Sequence, residues 1–516
     1  MKVLIMGLGL HGGGLETARY LLRHGAEITI TDLRDEQTLA PSIEQLQMIL
    51  KGEVSPSLQP ASGKPDTGLP LPPQQGSAPQ RPASIRYVLG RHELEDFQKA
   101  DIVIKNPAVR PDSPYLLASR RIETDISLFL TAIGENNPAI RLTAVTGSKG
   151  KSSVVSALHH VFNLENKLIP GKAYLGGNIT ISPLAFLDEL HKGDDVVLEL
   201  SSWQLGDLRG RTNGRAGALL KPKAAVLTEI LPDHMDRYNL MEDYVADKRV
   251  IYQGQDSNDL TIVKNDSWGN YFLSESKGCP LIYSLCPLPE GVSGGWIDDP
   301  AGPGCARLYG AMAQSAAAYG ADFAEGELFE IVPADILVPG RHHKQNLLAA
   351  GLTLLGLGLN PEAVRKGLAT FPGVEHRMEL FHQANGIKFF NDSAATIPEA
   401  AAAAIEALGS SRLILAAGGS DKNLDFTPLV QAARHVKAVI LLDGSASKKI
   451  GALLDDAGVK YLGPFDLLDN AVSAAINAAS PGDTVVLSPG CASFGMFLNE
   501  FDRGNKWKET VRRISC

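Results

Sequence analysis

The chain reads as an α/β protein built on parallel sheets, and three features of its 516 residues point that way. Short apolar runs rich in Val, Ile, Leu and Ala recur from end to end, each the length of a strand buried on both faces. Stretches with helical spacing separate them, as the crossover between parallel strands requires. Loops of Gly, Ser, Asn and Asp follow several of the runs, the place where open α/β sheets bind ligands. At ~100–200 residues per domain, the length accommodates about three.

The first region begins with the strand Val3 to Met6, a helix from Leu15 to Arg23 and a second strand from Glu27 to Thr31. Between the first strand and the helix lies Gly7-Leu8-Gly9-Leu10-His11-Gly12, with G-x-G-x-x-G spacing, and Asp32 ends the second strand. That pattern is the dinucleotide fingerprint, but it suits any ligand bearing a diphosphate with a ribose or uracil. It also suits a glycine turn that only lets helix and strand approach. A Pro-, Gly-, Ser- and Gln-rich segment from about 55 to 83 cannot bury enough apolar surface to fold alone, and a surface insertion is expected there. Strand pattern resumes at Ile85 to Leu89 and at Ile102 to Ile104.

The second region holds the most informative stretch, Thr146-Gly147-Ser148-Lys149-Gly150-Lys151-Ser152-Ser153, between the strand Leu142 to Val145 and a helix through Val154 to Leu158. A Gly-rich turn opening a helix aims backbone N–H groups and the positive end of the helix dipole at one point, which suits a polyphosphate. Lys151 would lie along the outer phosphates, and Ser152 or Ser153 would hold magnesium through its hydroxyl. The loop is shorter than the usual pattern, because Val145 stands where a first glycine belongs. Glu199 closes the apolar strand Val196 to Leu200, and a carboxylate at such a strand end can serve magnesium or simply face water. After the strand Ala224 to Leu227 comes Asp233-His234-Met235-Asp236-Arg237-Tyr238, a dense run of ionisable residues for one loop. Lys248 falls on a helical stretch and by spacing alone reads as a solvated helix face. Gly340 to Asn346 opens another helix, on which His342 and Asn346 share a face.

The third region carries strands at Ile387 to Phe390, Arg412 to Ala416, Ala438 to Leu442 and Thr484 to Leu487. Three of these run into small-residue loops: Asn391-Asp392-Ser393, Gly418-Gly419-Ser420-Asp421-Lys422, and Ser488-Pro489-Gly490-Cys491-Ala492-Ser493-Phe494.

Composition removes several classes of function. Hydrophobic residues at 44% and charged residues at 21% are the balance of a soluble globular protein. A net charge of −9 argues against a nucleic-acid partner, which would need basic surface. No apolar run reaches the ~18 residues of a membrane span, and the opening Met1 to Gly7 reads as a strand instead of a signal peptide. The five cysteines are odd in number and none shows Cys-x-x-Cys spacing, so reduced thiols and a cytoplasmic location are expected.

Taken in order, Thr-Gly-Ser-Lys-Gly-Lys-Ser-Ser, Glu199-Leu-Ser-Ser-Trp-Gln-Leu205, Asp-His-Met-Asp-Arg-Tyr and Leu487-Ser-Pro-Gly-Cys-Ala-Ser-Phe494 with Arg503-Gly504 resemble the Mur ligases, ATP-dependent amide-forming enzymes of peptidoglycan assembly. The resemblance spans nearly the whole chain except the insertion near 51–85. It implies three domains: a Rossmann-like UDP-sugar domain over 1–127, a P-loop ATPase-like parallel sheet over 128–374 and a Rossmann-like C-terminal domain over 375–516. It implies ATP and Mg2+ as cofactors. It also implies UDP-MurNAc-L-Ala and glutamate as small-molecule partners; composition leaves no nucleic acid and no membrane to expect, and domains large enough to fold alone make a monomer the expectation.

The resemblance further assigns residues. Gly9 and Gly12 would approach the diphosphate, Asp32 and Arg34 the uracil, and Asn106 and Asn178 the rest of the UDP-sugar. Gly147, Gly150, Lys151, Ser152, Ser153, Asn346, Arg377 and Asp392 would bind ATP. Ser152, Glu199, His234 and Lys248 would serve metal, Lys248 as a carbamate. Thr396, Lys422 and Ser493 would receive the amino acid. Lys151, Glu199, His234, Lys248 and Arg377 would be the catalytic set, and closure of the third domain would exclude water. Five positions depart from the family pattern: Lys149 and Glu229 where Asn is usual, His343 in place of Asn, Ala394 in place of Lys, and Glu500 in place of an aromatic residue. The last two touch the acceptor pocket. An oxidoreductase using Gly7 to Gly12 would leave Lys151 and Glu199 unemployed. A folylpolyglutamate-type ligase shares the chemistry but fits the Asp233 to Tyr238 and Ser488 to Phe494 segments less well. A non-catalytic relative is the reading that Ala394 and Glu500 favour.

Overall fold

The computed structural model describes residues 2–9, 12–51, 83–136, 140–164, 171–179, 181–212, 217–235, 237–310, 312–313, 324–493 and 495–515. The insertion expected near 55–83 lies outside these residues but for Ala83, as do Leu10, His11, Asp236 and Phe494. The chain forms two compact units. One comprises Met1–Asp298, Gly304–Ile331 and Gln345–Arg365, and the other Asp299–Pro303, Val332–Lys344 and Lys366–Cys516.

The first unit contains two sheets. Strands β1 (Lys2–Met6), β2 (Glu27–Asp32), β3 (Ser84–Leu89), β4 (Ile102–Lys105) and β5 (Ile122–Glu123) pair in the order β3-β2-β1-β4-β5, all parallel. Strands β6 (Arg141–Thr146), β7 (Ala173–Gly177), β8 (Asp195–Glu199), β9 (Ala224–Leu227), β10 (Leu260–Lys264), β11 (Cys279–Ser284), β12 (Gly294–Trp296), β13 (Gly304–Arg307) and β14 (Phe329–Val332) form the second, in the order β14-β13-β12-β11-β10-β9-β6-β8-β7. It is parallel from β7 to β12, and β13 runs antiparallel to β12. One apolar core runs through both sheets, with Phe129 and Phe186 edge to face at 5.9 Å inside it. Ion pairs join them too: Lys105 Nζ lies 2.7 Å from the Asp207 carboxylate and Arg211 Nη1 2.6 Å from Glu123.

In the second unit, β15 (Glu379–Ala384), β16 (Ile387–Asn391), β17 (Leu413–Ala417), β18 (Ala438–Leu442), β19 (Tyr461–Phe465) and β20 (Thr484–Leu487) pair in the order β15-β16-β20-β17-β18-β19. All neighbours are parallel except β15 and β16. That hairpin departs from the expectation of parallel pairing alone. Asn385 and Gly386, with φ of 51° and 74°, make the two-residue turn that Asn-Gly favours and fold the strands back on each other.

The expected boundaries at 127/128 and 374/375 do not coincide with the compact units. The first two sheets share one unit, and residues 332–344 and 366–374 belong to the second. Among the described residues no helix is long and apolar enough to cross a membrane.

Candidate active site

β6 ends at Thr146 and the helix Lys151–Phe162 begins five residues on, so the intervening loop must turn sharply. Gly147 and Gly150 do this at φ of 150° and 90°, in the left-handed region that costs a residue with a side chain. Nor is there room for one. A Cβ on Gly147 would collide with Thr228 Oγ1, and one on Gly150 with the side-chain amide of Asn346. The loop is tied to the segment after β9. Ser148 N–H donates to the Glu229 carbonyl at 2.7 Å, Thr228 Oγ1 to the Lys149 carbonyl at 2.6 Å, and the Ser148 hydroxyl to the Leu231 carbonyl at 2.7 Å.

Two lysines converge on the carbonyls of this loop. Lys151 Nζ donates to Gly147 O at 2.9 Å and Ser148 O at 3.0 Å, and Lys248 Nζ donates to Gly147 O at 2.9 Å. Lys248 ends the helix Met241–Lys248 and is 1% exposed, so it is not the solvated residue that spacing suggests. Burial pushes its ammonium well below the usual lysine range, the Lys151 charge adds to the push, and Asp233, Asp247 and Glu199 oppose it.

Glu199 closes β8 beside β6, 2% exposed. Ser152 Oγ donates to its Oε2 at 2.7 Å, and Asn178 Nδ2 to its Oε1 at 2.9 Å. The Asn178 N–H bonds the Glu199 carbonyl at 2.8 Å. Two residues from separate parts of the chain thus share the Glu199 carboxylate. His234, at φ 55°, rests its ring 4.8 Å from Trp203, and the Arg237 guanidinium lies 4.4 Å from the centre of the same indole. No hydrogen bond joins His234 to Lys248 among the described residues. A cavity of about 380 Å³ opens beside Trp203, lined by Arg110, Asp207, Arg209, Arg237 and Tyr238, and touches none of Lys151, Ser152 or Glu199.

At the first sheet, Asp32 is buried and its carboxylate organises the glycine loop. Oδ2 accepts the N–H groups of Leu8 at 2.9 Å and Gly9 at 3.3 Å, and Oδ1 that of Arg34 at 2.9 Å. Gly12, at φ 74°, starts the helix Gly13–Arg23 with no side-chain cap. Arg34 is exposed, and Asn106 N–H bonds Met6 O at 3.2 Å, beside Gly7.

In the second unit, Asp392 follows β16 with both carboxylate oxygens engaged. Oδ1 accepts Met378 N–H at 3.1 Å and Oδ2 the Ser488 hydroxyl at 2.7 Å. Arg377 is exposed beside it and acts on it electrostatically. Asn391 donates to His376 Nδ1 at 2.9 Å and to Glu379 Oε2 at 3.0 Å, fixing the turn that carries Arg377. Sequence reasoning did not single out His376, because a lone loop histidine carries no pattern. Its φ of 62° became visible only in the fold. Ser493 is buried, Thr396 half-buried and Lys422 exposed, each in a strand-end loop of this sheet.

Comparison with known proteins now decides the family. The Mur ligase middle domain matches residues 145–284, and the Mur ligase glutamate ligase domain matches 376–491. The chain is 37% identical to the UDP-N-acetylmuramoylalanine–D-glutamate ligase of Treponema pallidum, over 99% of this chain and 97% of that protein. It is 37% identical to the ligase of the same name from Roseiflexus sp., over 100% and 99%. The chain belongs to the Mur ligase family. Its fold matches the crystal structure of the UDP-N-acetylmuramate-alanine ligase of Thermotoga maritima at a TM-score of 0.54, with 16% identity over the whole of both chains.

Within this Mur ligase the departing residues find different places. Lys149 is exposed, and its backbone pairs with Glu229, whose carboxylate bonds Lys264 Nζ at 2.5 Å. Burial pushes His343 down to about 3, so it is neutral at physiological pH. Ala394 N–H bonds the His376 carbonyl at 3.0 Å, and the Glu500 carbonyl accepts the Ser393 hydroxyl at 2.7 Å. At both of these positions the backbone does work that any residue type could do.

Proposed function

We propose that this chain is an ATP-dependent ligase that adds D-glutamate to UDP-N-acetylmuramoyl-L-alanine in peptidoglycan synthesis. The observation that carries the reading is the Ser152–Glu199 pair, 2.7 Å apart beside a glycine loop whose carbonyls hold two lysines. The names of the full-length relatives support the choice of substrates.

The residues present fit the groups the reaction needs. Gly147 and Gly150 leave no room for a side chain, so the loop keeps the open shape that a triphosphate requires. A serine hydroxyl and a buried carboxylate are hard oxygen donors of the type magnesium takes. Bound there, magnesium would neutralise phosphate charge. Among the described residues no three His, Cys, Asp or Glu gather as a metal cluster, so the donor set includes a hydroxyl. A neutral Lys248 amine can take up carbon dioxide, and as a carbamate it would add an anionic oxygen ligand beside Gly147, with His234 as the further ligand.

The chemistry runs in two steps. The terminal carboxylate of the UDP-sugar attacks the outer phosphorus of ATP, and ADP leaves, giving an acyl phosphate. The free amine of D-glutamate then attacks the activated carbon, inorganic phosphate departs, and the amide forms. The chain positions the partners and offsets charge: in the first unit Lys151 would serve the phosphates and Asn346 the nucleoside, with Ser153 in the first turn of the same helix as Lys151. Arg377 and Asp392, in the second unit, would keep the ATP-binding roles that the resemblance implies. In this reading Gly9, Gly12, Asp32, Arg34, Asn106 and Asn178 receive the UDP-sugar, and Thr396, Lys422 and Ser493 the amino acid. We place the protein in the cytoplasm as a monomer, with domains over 1–127, 128–374 and 375–516.

The test is phosphate release from ATP with UDP-MurNAc-L-Ala and, separately, D-glutamate, L-glutamate and neutral amino acids. Release is expected with the D-isomer and lost in Lys151→Ala. Full activity in that variant, or no release with any amino acid, would sink the reading.

A further inference from the structure

We propose that Arg503 selects for a doubly negative acceptor, by placing a buried, unneutralised positive charge under the amino-acid loops of the second unit. The inference rests on the ligase reading above and concerns what its acceptor pocket recognises.

Arg503 lies near the start of the helix Glu500–Ile514 and is 1% exposed. Its guanidinium donates from Nε to Ser393 Oγ at 3.0 Å, from Nη2 to the Ser393 carbonyl at 2.8 Å and from Nη1 to the Cys491 carbonyl at 3.1 Å. All these acceptors are neutral, and no carboxylate reaches ion-pair distance among the described residues. Lys344 is buried too and likewise donates only to carbonyls, those of Pro300, Gly302 and Ala334, whereas two further buried cations are paired with carboxylates. Lys105 lies 2.7 Å from Asp207, and Lys508 lies 2.6 Å from Glu375 and 3.2 Å from Glu379. Lys248 escapes the cost of burial by favouring its neutral amine. An arginine cannot follow it. Burial pushes Arg503 down only to about 10, so the charge persists at neutral pH.

The position of this charge gives it a use. Ser393 follows β16 and Cys491 follows β20, while Gly419, after β17, would bring a Cβ within 3.5 Å of Nη1. Ser420 in turn pairs with Ala492. The ends of three adjacent strands therefore close around one guanidinium, and their loops carry Thr396, Lys422 and Ser493. In a medium of low dielectric constant a charge acts over several ångströms and is screened little by salt. An acceptor with two carboxylates gains from that field, and its neutral amide analogue forfeits the part due to the side chain. Lys422, exposed to water, offers a weaker and salt-sensitive attraction.

The alternative is that Arg503 only straps the loops together, and two substitutions separate the cases. Arg503→Lys keeps the charge and loses the fork of hydrogen bonds; Arg503→Gln keeps donors and loses the charge. Steady-state constants for D-glutamate and D-glutamine are measured at saturating ATP and UDP-MurNAc-L-Ala, with melting temperatures alongside. Arg503→Gln should raise KM for D-glutamate by about tenfold or more, with D-glutamine little changed. Arg503→Lys should keep the preference for D-glutamate. Equal loss in both variants, or undiminished selectivity in Arg503→Gln, overturns the proposal. If the glutamine variant does not fold, unsubstituted enzyme decides. A kcat/KM for D-glutamate that falls less than about twofold between about 0.05 and 0.5 M NaCl supports a buried charge. A steep fall assigns recognition to exposed Lys422 and overturns it. Failure of the unsubstituted enzyme to use any dicarboxylic amino acid would instead refute the ligase reading itself.

Discussion

Replacing Asp392 with asparagine should change the pH dependence of folding in a direction that the structure fixes. Its carboxyl is buried, and burial pushes its pKa up to about 7, against the opposing pull of the Ser488 hydroxyl, the Met378 N–H and Arg377. An ordinary aspartate titrates near 3.8. Between those values the folded chain holds a proton that the unfolded chain has released. The stability contributed by the protonated carboxyl is therefore complete below 3.8 and is lost as the pH rises through about 7. Three units at ~1.4 kcal/mol each make the full effect about 4 kcal/mol. Asparagine keeps the shape and both hydrogen bonds, with the Ser488 hydroxyl turning to accept, and has no titration. The stability of Asp392→Asn relative to the parent should thus improve by about 2–3 kcal/mol between pH 5 and pH 8. For a domain of 150–250 residues that is roughly 4–12 °C in melting temperature. The assay is side-by-side thermal unfolding without nucleotide across that range. Two melting curves that stay parallel with pH would show that burial of this carboxyl carries no proton linkage, and the reasoning would fail.

Other substitutions test the phosphate loop. Glu199→Gln keeps an acceptor oxygen for Asn178, lets the Ser152 hydroxyl turn to accept from the new amide, and removes the anion. Phosphate release should drop by about a hundredfold or more and need more magnesium for half-maximal rate, with little change in melting. Lys149 has an exposed ammonium that makes no hydrogen bond or ion pair among the described residues. Lys149→Asn should raise KM for ATP by roughly three- to tenfold at low salt, leave kcat nearly alone, and show a smaller effect in about 0.5 M NaCl. Gly150→Ala would force a side chain to φ 90° and into Asn346. It should cost about 1–3 kcal/mol in unfolding measurements and raise KM for ATP.

What could be seen in the sequence follows a physical division. Strands buried on both faces announce themselves, and β9, β18 and β20 fall where Ala224 to Leu227, Ala438 to Leu442 and Thr484 to Leu487 predict them. Ser152 and Glu199 were legible because a helix start and a strand end each fix where a side chain can go. The β15–β16 hairpin was missed although Asn385-Gly386 signals it, since the expectation of parallel pairing took precedence over turn chemistry. Lys248 shows the limit. Its helix carries Glu242, Asp243 and Asp247, a pattern of solvent exposure, and only tertiary packing buries its last residue against Gly147. The resemblance found it and the periodicity did not. Asp32 marks a second limit. The fingerprint correctly places it beside the glycine loop, but its carboxylate is spent on Leu8 and Gly9 before any ligand arrives.

These buried charges sort the three strand-end sites by what each can bind. At the phosphate loop Lys248 takes the Gly147 carbonyl, and in the second unit Arg503 takes the carbonyls of Ser393 and Cys491. An N–H donor that occupies these carbonyls masks their negative ends, and the Arg503 charge adds positive potential, so both arrangements favour an anion. Asp32 does the reverse. It consumes the N–H groups of Leu8 and Gly9 and adds negative charge at that point of the loop. Those two amides therefore serve a diphosphate poorly, whatever the glycine spacing suggests. The uncapped start of the helix at Gly12 and Gly13 keeps its donors, and an anion at this sheet should lie there, a few ångströms from where the fingerprint alone would put it.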